Sequence, residues 1–543
     1  MKRLGRRRYL ISFRTKDLPQ IFTDTLILGG GIAGMRAALE AEKAGQVIVL
    51  SKGPWEECNT YYAQGGVAAV IRPPDKIADH IADTLKNAGG LADAKIVRQI
   101  CRQGPTRIRE LIQWGIRFDK KGRQLSLTCE GGHGAARILH ADGDATGRVI
   151  FQFLADRLRK YPKIRIIENS FAVDLLTADD VCLGALVNLP EKGLHAIWAK
   201  TVILATGGVG QLYRETTNPD SATADGLAMA FRAGAKLRDL EMIQFHPTTL
   251  YVAGATRALI SETVRGEGAH LVNRRGRRFM AEYDPRAELA SRDIVSRAIL
   301  REMVRTESTC VWLDARHFGA VRFKKRFPTI HTAIKDVGLN PAKDLIPVRP
   351  AAHYLVGGVL VDRRAHTSIQ RLFACGEVAS TGLHGANRLG SNSLLERLVY
   401  GQIAGLSAAR AVRAARGPES GTPIESKPKI SGRTVLDIRD VQNSLRSVMG
   451  RSVGIERTGE RLEEVLDMIA FWSRYVLDKV FDNPLGWECQ NMLQVGRLIA
   501  AAALTRTESR GAHYRTDHPN PEKGKPKHTL FHVSTVPNMK GVG

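Results

Sequence analysis

The chain has 543 residues, of which 43% are hydrophobic, 25% charged and 6% aromatic. This composition excludes disordered, collagenous and membrane-spanning classes and leaves a globular protein of several domains. Lys and Arg number 80 against 55 Asp and Glu, a net charge of +25. Such an excess invites nucleic acid, a membrane surface or anionic small molecules without choosing among them.

Residues 1–22 read as a basic N-terminal extension without internal order, and the first sixteen hold seven basic residues and no acid. Their apolar stretch, Tyr9 to Phe13, is too short for a secretory core. Residues 24–50 then read strand, glycine-rich turn, helix, strand: Thr25 to Leu28, Gly29 to Gly34, an Ala-rich helix to Ala44, and Val47 to Leu50. This opens a parallel α/β sheet. Two later apolar runs ending in glycine, Val202 to Gly208 and Leu372 to Gly376, place further strands of that sheet far along the chain. The sheet domain is therefore expected over 23–245 and 354–415, interrupted by an Arg- and His-rich unit at 246–353. A helix from about Ser393 to Ala415 leads into a Pro/Gly/Ser linker at 416–433. Residues 434–513 read as a helical domain. One helix carries Leu462, Val465, Leu466, Ile469, Trp472 and Val476 on one face, and a second runs from about Asn491 to Arg510. Residues 514–543 form a basic, proline-containing tail.

Gly29-x-Gly31-x-x-Gly34, set between a strand and a helix, gives a tight turn and close backbone approach for a pyrophosphate at the helix N-terminus. The motif is weak alone and much stronger in this strand-turn-helix context. The next strand ends in Ser51-Lys52 where an acid for the ribose is usual. The ribose contact must differ, with Lys52 facing a phosphate or the ribose. If the dinucleotide is FAD, Asn59, Thr60, Tyr61, Tyr62, Ala63, Gln64, Gly65 and Gly66 supply small residues and an amide for a flat ring. The backbone N–H groups of Ser393 and Leu394, at a helix start, supply positive potential for the electron-rich edge of that ring.

These segments resemble the succinate dehydrogenase/fumarate reductase flavoprotein family. The likeness is carried by Gly29 to Gly34, Val47 to Gly66, Glu130-Gly131-Gly132-His133, Asp144 to Gly147, Gln244-Phe245-His246-Pro247-Thr248, Arg265 to Gly268, Pro350 to Tyr354, Gly376 to Gly401 and Arg506 to His513, spanning about 24–515. The resemblance implies an α/β protein, α+β overall, with a Rossmann-like FAD-binding domain, an inserted capping domain and a C-terminal helical domain. It places Gly30, Ile32, Ala33, Ala205, Thr206, Gly207, Asp225 and Glu377 on the FAD with the residues already named. It also places His246, Ser261, Glu262, Arg292, His353 and Arg388 around a C4 dicarboxylate, with Arg292 as proton donor at the reacting carbon. Arginine is the natural donor for a carboxylate, although its pKa above about 12 makes proton transfer demanding.

Two positions distinguish branches of the family. Where its membrane-bound members carry a His covalently joined to FAD, this chain has Asn59, so FAD is expected to be bound non-covalently. Where dicarboxylate reductases carry an uncharged Gln, this chain has Glu130, which repels succinate and pairs with the ammonium of L-aspartate. The resemblance then implies oxidation of L-aspartate to iminoaspartate, the first step of de novo NAD biosynthesis, with reoxidation by fumarate (giving succinate) or O2 (giving H2O2). A quinolinate synthase would consume the unstable product. The alternative is a succinate dehydrogenase or fumarate reductase flavoprotein subunit. No metal is expected, since the seven cysteines contain no C-x-x-C. That usage also fits a reducing cytoplasm. No nucleic-acid motif accompanies the charge and no run reaches the length of about eighteen residues needed to span a membrane. The expected form is a monomer or homodimer.

Overall fold

The structure is a computed structural model that describes residues 7–254, 257–415, 422–428, 432–434 and 436–534. Strand Gln20–Leu28 runs into Gly29, turns, and continues as helix Ile32–Ala41 before strand Val47–Leu50. Gly29 has φ +114°, and a side chain there would meet Ala205 O at 2.2 Å, so glycine alone fits. The parallel core adds Ile164–Ile167 beside Val47–Leu50, and on the other side the C-terminal part of Gly193–Leu204, then Leu372–Ala374. Numbered along the chain, those five strands lie in the order 3-2-1-4-5 of a dinucleotide-binding sheet. Near-continuous apolar burial of Leu26 to Leu28, Val47 to Leu50 and Val202 to Leu204 follows from helices covering both faces. An antiparallel meander, Phe171–Ala178 and Val181–Leu189, branches from Gly193–Leu204.

Strand Ile243–Leu250 leaves this domain and Ile346–Leu355 returns to it, paired antiparallel. Between them, strands Val311–Asp314 and His270–Val272 complete a four-stranded sheet. Helices Arg292–Arg305 and Pro328–Asp336 contribute to a separate apolar core that includes Leu250, Val295, Ile299, Ile330 and Val348. The helix after the return, Asn392–Ala414, packs along Ile32–Ala41 and is buried through most of its length. The architecture is a Rossmann-like domain with an inserted unit and a helical C-terminal unit.

Residues 7–22 depart from the unordered extension expected of a basic segment. Tyr9, Leu10, Ile11 and Phe13 are buried in one cluster with Phe171, Trp198 and Trp487, and Leu10 N donates to Asp174 Oδ2 at 2.8 Å. Burial of these four apolar side chains outweighs the solvation of their charged neighbours. Residues 1–6, and half of the expected linker (416–421 and 429–431), lie outside the described residues. The tail also packs: Leu530–Phe531 pairs with Leu237–Arg238, while residues 535–543 lie outside the described residues.

The C-terminal unit has three helices rather than two: Ile438–Ser452, Gly459–Val476 and Pro484–Thr505. The last begins earlier than expected because Pro484 occupies its first turn and the Asn483 side chain accepts from Gly486 N at 3.1 Å. It ends before Arg506, whose extended backbone (ψ 106°) sends the guanidinium to Glu241 and Glu508.

Candidate functional site

One cleft runs along the C-terminal ends of the parallel strands and turns under the capping unit. At its narrow end it is lined by Gly29, Gly30, Gly31, Ile32, Ala33, Ser51, Lys52, Asn59, Thr60, Ala205, Thr206, Gly207, Asp225 and Glu377. Gly34 does not line it. That glycine instead lets the helix pack on the strand, since a Cβ would lie 2.0 Å from Gly29 O. The first N–H groups of helix Ile32–Ala41 open at this end, where the helix dipole favours an anion.

Lys52 does not stand as a lone phosphate contact. Its ammonium is fixed by Asp225 at 2.8 Å and Glu488 at 2.5 Å, and it donates to Thr223 Oγ1 at 2.5 Å. Burial opposes the charge, but the two carboxylates outweigh it and hold the Lys52 pKa above its usual value. Asn59 donates to Asn218 Oδ1 at 3.2 Å and to Glu377 Oε2 at 3.3 Å. Burial pushes the Glu377 carboxyl above the usual range despite Arg397 at 3.3 Å.

The wide end, a cavity of about 1090 Å³, brings together Tyr61, Tyr62, Ala63, Gln64, Gly65, Gly66, Glu130, His246, Ser261, Arg292, His353, Arg388, Ser393 and Leu394. Ser393 and Leu394 open helix Asn392–Ala414, so their N–H groups lack intrahelical partners. These residues fit a flat polar ring. Gln64 Oε1 is buried with no hydrogen-bond partner among the described residues, a condition that a bound heterocycle satisfies.

Beyond that position lies the basic part. Arg292 Nε donates to Glu262 Oε2 at 2.6 Å, and Nη1 to Gln244 Oε1 at 3.3 Å. Glu262 stands behind Arg292 and does not line the cavity. Arg265 is a further 4.0 Å from Glu262 Oε1. Burial alone would raise the Glu262 pKa, but Arg292 and Arg265 bring it below the usual value. Arg388 donates from Nη1 to Ser393 Oγ at 2.9 Å and from Nη2 to His353 Nε2 at 3.3 Å, with its guanidinium 4.5 Å from the Tyr354 ring centre. Burial, followed by repulsion from Arg292, pushes its pKa down to about 9. His246 and His353 lie with ring centres 5.1 Å apart. Burial, and then the neighbouring guanidinium groups, keep both imidazoles far below their usual pKa and therefore neutral.

Glu130 is 3% exposed. Its Oε2 accepts from Ser391 Oγ at 2.7 Å and its Oε1 from Thr263 Oγ1 at 3.1 Å. Among the described residues it pairs with no Lys or Arg. A buried carboxylate held only by hydroxyls is disposed to take an external cation. Ser261 caps helix Glu262–Gly266 as well as lining the cavity. Sequence reasoning did not single out Thr217, which bonds His353 Nδ1 at 2.8 Å, or Gln244, Thr263, Arg265 and Ser391. Gln244, Thr263, Arg265 and Ser391 lie in or beside segments already marked in the sequence. The arrangement can hold a dianion between two guanidiniums and two neutral imidazoles, with a carboxylate at one side.

The chain matches the FAD binding domain family over residues 24–394 and the Fumarate reductase flavoprotein C-term family over residues 442–540. It is 43% identical over 517 residues to the L-aspartate oxidase of Vibrio cholerae, a match covering 92% of this chain and 96% of that protein. It is 41% identical over 520 residues to the L-aspartate oxidase of Streptomyces coelicolor, covering 92% and 89%. Among solved structures, a quinol fumarate reductase FrdA variant from E. coli is similar with a TM-score of 0.87 and 32% identity, covering 94% of each chain.

Proposed function

The chain belongs to the L-aspartate oxidase family of flavoproteins, and from that premise we propose that Glu130, Arg292, Arg388, His246 and His353 assemble the site in which L-aspartate is oxidised. The activity is FAD-dependent oxidation of L-aspartate to iminoaspartate in NAD biosynthesis, with fumarate or O2 as terminal acceptor. FAD, when bound, supplies the ring that accepts two electrons and the Cα hydrogen. Gly29 to Gly31 and the start of helix Ile32–Ala41 would hold its pyrophosphate, and Tyr62 to Gly66 with Ser393 and Leu394 its ring system.

The observation that carries the assignment of roles is the environment of Glu130: buried, bonded by two hydroxyls, and facing the same cavity as Arg292 and Arg388. An ammonium completes its hydrogen bonding, whereas the CH2 of succinate leaves it uncompensated. The guanidinium of Arg388 and the N–H of neutral His246 bind the carboxylates, while His353, its Nδ1 bonded to Thr217, accepts from Arg388 and orients it. Arg292, backed by Glu262, holds a proton for the carbon of fumarate when that acceptor is reduced.

The basic surplus of the chain acquires one use here, because a positive cleft draws in dianions. All seven cysteines are free, which supports a cytoplasmic address. Among the described residues no helix is long and apolar enough to cross a membrane. Iminoaspartate hydrolyses in water, which favours prompt transfer to a quinolinate synthase, and the enzyme acts as a monomer or homodimer.

Anaerobic mixing of the yellow protein with L-aspartate, and separately with succinate, tests the reading. Bleaching by aspartate and not by succinate is expected; bleaching by succinate alone would move the chain to the dicarboxylate dehydrogenases.

A further inference from the structure

Lys52 follows strand Val47–Leu50, where a dinucleotide-binding sheet ordinarily presents an acid to the adenosine ribose. Lys52 and Asp225 both line the narrow end of the cleft. Asp225 opens helix Asp225–Arg232 of the FAD-binding domain, but Glu488, 2.5 Å from the Lys52 ammonium, belongs to helix Pro484–Thr505 of the C-terminal unit. Three residues further along, on the same helix face, Asn491 is fully buried and donates to Asp225 Oδ1 at 2.7 Å. Arg232 in turn donates to Asn491 Oδ1 at 2.8 Å. One helix outside the FAD-binding domain therefore grips both residues at the ribose end. With one ammonium and two carboxylates, the cluster keeps the single negative charge of the acid it replaces.

We propose that Glu488 is a positioning residue for the adenosine half of FAD, holding Lys52 against Asp225 so that the C-terminal helical unit contributes directly to cofactor affinity. The proposal rests on the reading of the cleft as the FAD site. A lysine stem is flexible. A single carboxylate would tether its ammonium, whereas two on different elements fix its direction. Glu488 does not itself line the cleft, so its effect passes through Lys52.

The test is titration of FAD-stripped protein with FAD, followed by protein fluorescence, with ADP-ribose as the probe of the adenosine half. Glu488→Gln keeps the shape and removes the charge. It is expected to weaken FAD and ADP-ribose alike by about tenfold, the scale of a charge-assisted contact. Glu488→Asp should recover part of the loss. Lys52→Met should weaken both ligands, and adding Glu488→Gln to it should weaken them no further. Circular dichroism establishes that each variant is folded; should Glu488→Gln not fold, Glu488→Asp against Lys52→Met carries the same comparison. Unchanged affinity in a folded Glu488→Gln protein, or losses that multiply in the double variant, overturns the positioning role. Failure of the unsubstituted protein to bind either ligand instead overturns the FAD reading of the cleft.

Discussion

Arg292 Nε donates to Glu262 Oε2 across 2.6 Å, with the two side chains 9% and 3% exposed. An arginine releases a proton only reluctantly, so a donor of this kind depends on a partner that returns the proton. On the role proposed for Arg292, Glu262 would be that partner, and Arg265 lies beyond it, its Nη2 4.0 Å from Glu262 Oε1 and its Nε and Nη2 buried without a hydrogen-bond partner among the described residues. Glu262→Gln should therefore lower turnover with fumarate as acceptor by about a hundredfold, within the usual range for a general-acid function. Oxidation of aspartate with O2, which needs no proton at a substrate carbon, should fall much less. Steady-state rates with the two acceptors measure the ratio, and equal losses would remove Glu262 from the proton path.

Imidazoles held neutral by desolvation give the fold a definite dependence on pH. Burial is the main cause in each case, lowering His80 to about 4 and His140 to about 3, and taking His246, His353 and His513 well below the usual value of 6.5. Below pH 6.5 the unfolded chain binds a proton at each ring while the folded chain does not. Stability is thus fully present above that pH and declines as pH falls, by about 1.4 kcal/mol per unit for each ring. The Tm should drop from pH 7 to pH 5, the imidazoles outweighing buried carboxyls such as Glu377, whose raised pKa acts in the opposite direction. A flat Tm across that interval contradicts the neutral state of these histidines.

The local pattern made the dinucleotide half of the fold readable. The glycine turn, Val47–Leu50 and the start of helix Asn392–Ala414 lie within a residue or two of their expected bounds, because each is set by neighbours in sequence. Helix Ile438–Ser452 was not read, although Val441, Leu445, Val448 and Met449 recur at helical spacing, because it follows the Pro/Gly/Ser stretch closely and is otherwise polar. The pairing of Lys52 with Glu488, and of Tyr9 to Phe13 with Trp487, joins opposite ends of the chain and leaves no local signature. The site was legible as a set of motifs. What the motifs did not contain was which hydroxyl or amide orients each charged group, as Thr263 and Ser391 do for Glu130.

Arg506 fastens the helical unit to the rest of the molecule. Its guanidinium meets Glu241 at 2.6 Å, Glu508 at 2.8 Å and Asp239 at 3.4 Å, and all four side chains are almost fully buried. Asp239 also holds His528 and Thr529 of the C-terminal tail. Arg506→Met removes the cation and leaves the buried Glu241 carboxylate without one, a loss of about 3–5 kcal/mol. Denaturant unfolding should show that loss, together with earlier proteolysis of the tail. A change below about 1 kcal/mol would mean that the acids become protonated at little cost.

The Asn59 position predicts how the cofactor leaves. Its amide is committed to Asn218 and Glu377, and it offers no nucleophilic ring nitrogen for attachment to a flavin. Unfolding in guanidinium followed by ultrafiltration should pass all of the yellow FAD into the filtrate; colour retained with the protein refutes non-covalent binding.

Glu130→Gln tests the choice of substrate most directly. The substitution keeps the side-chain shape and leaves an oxygen to accept from Ser391 or Thr263, so the fold should tolerate it. It removes the charge that pairs with the substrate ammonium, an interaction worth about 1.5–3 kcal/mol. The value of kcat/KM for L-aspartate should accordingly fall by roughly tenfold to a hundredfold. Fumarate carries no ammonium, and the two carboxylates of any C4 dianion repel a third, so reduction of fumarate by the pre-reduced enzyme should persist or improve. The two effects must separate: a loss shared by both substrates would describe a damaged cavity, whereas loss for aspartate alone identifies Glu130 as the group that reads the amine.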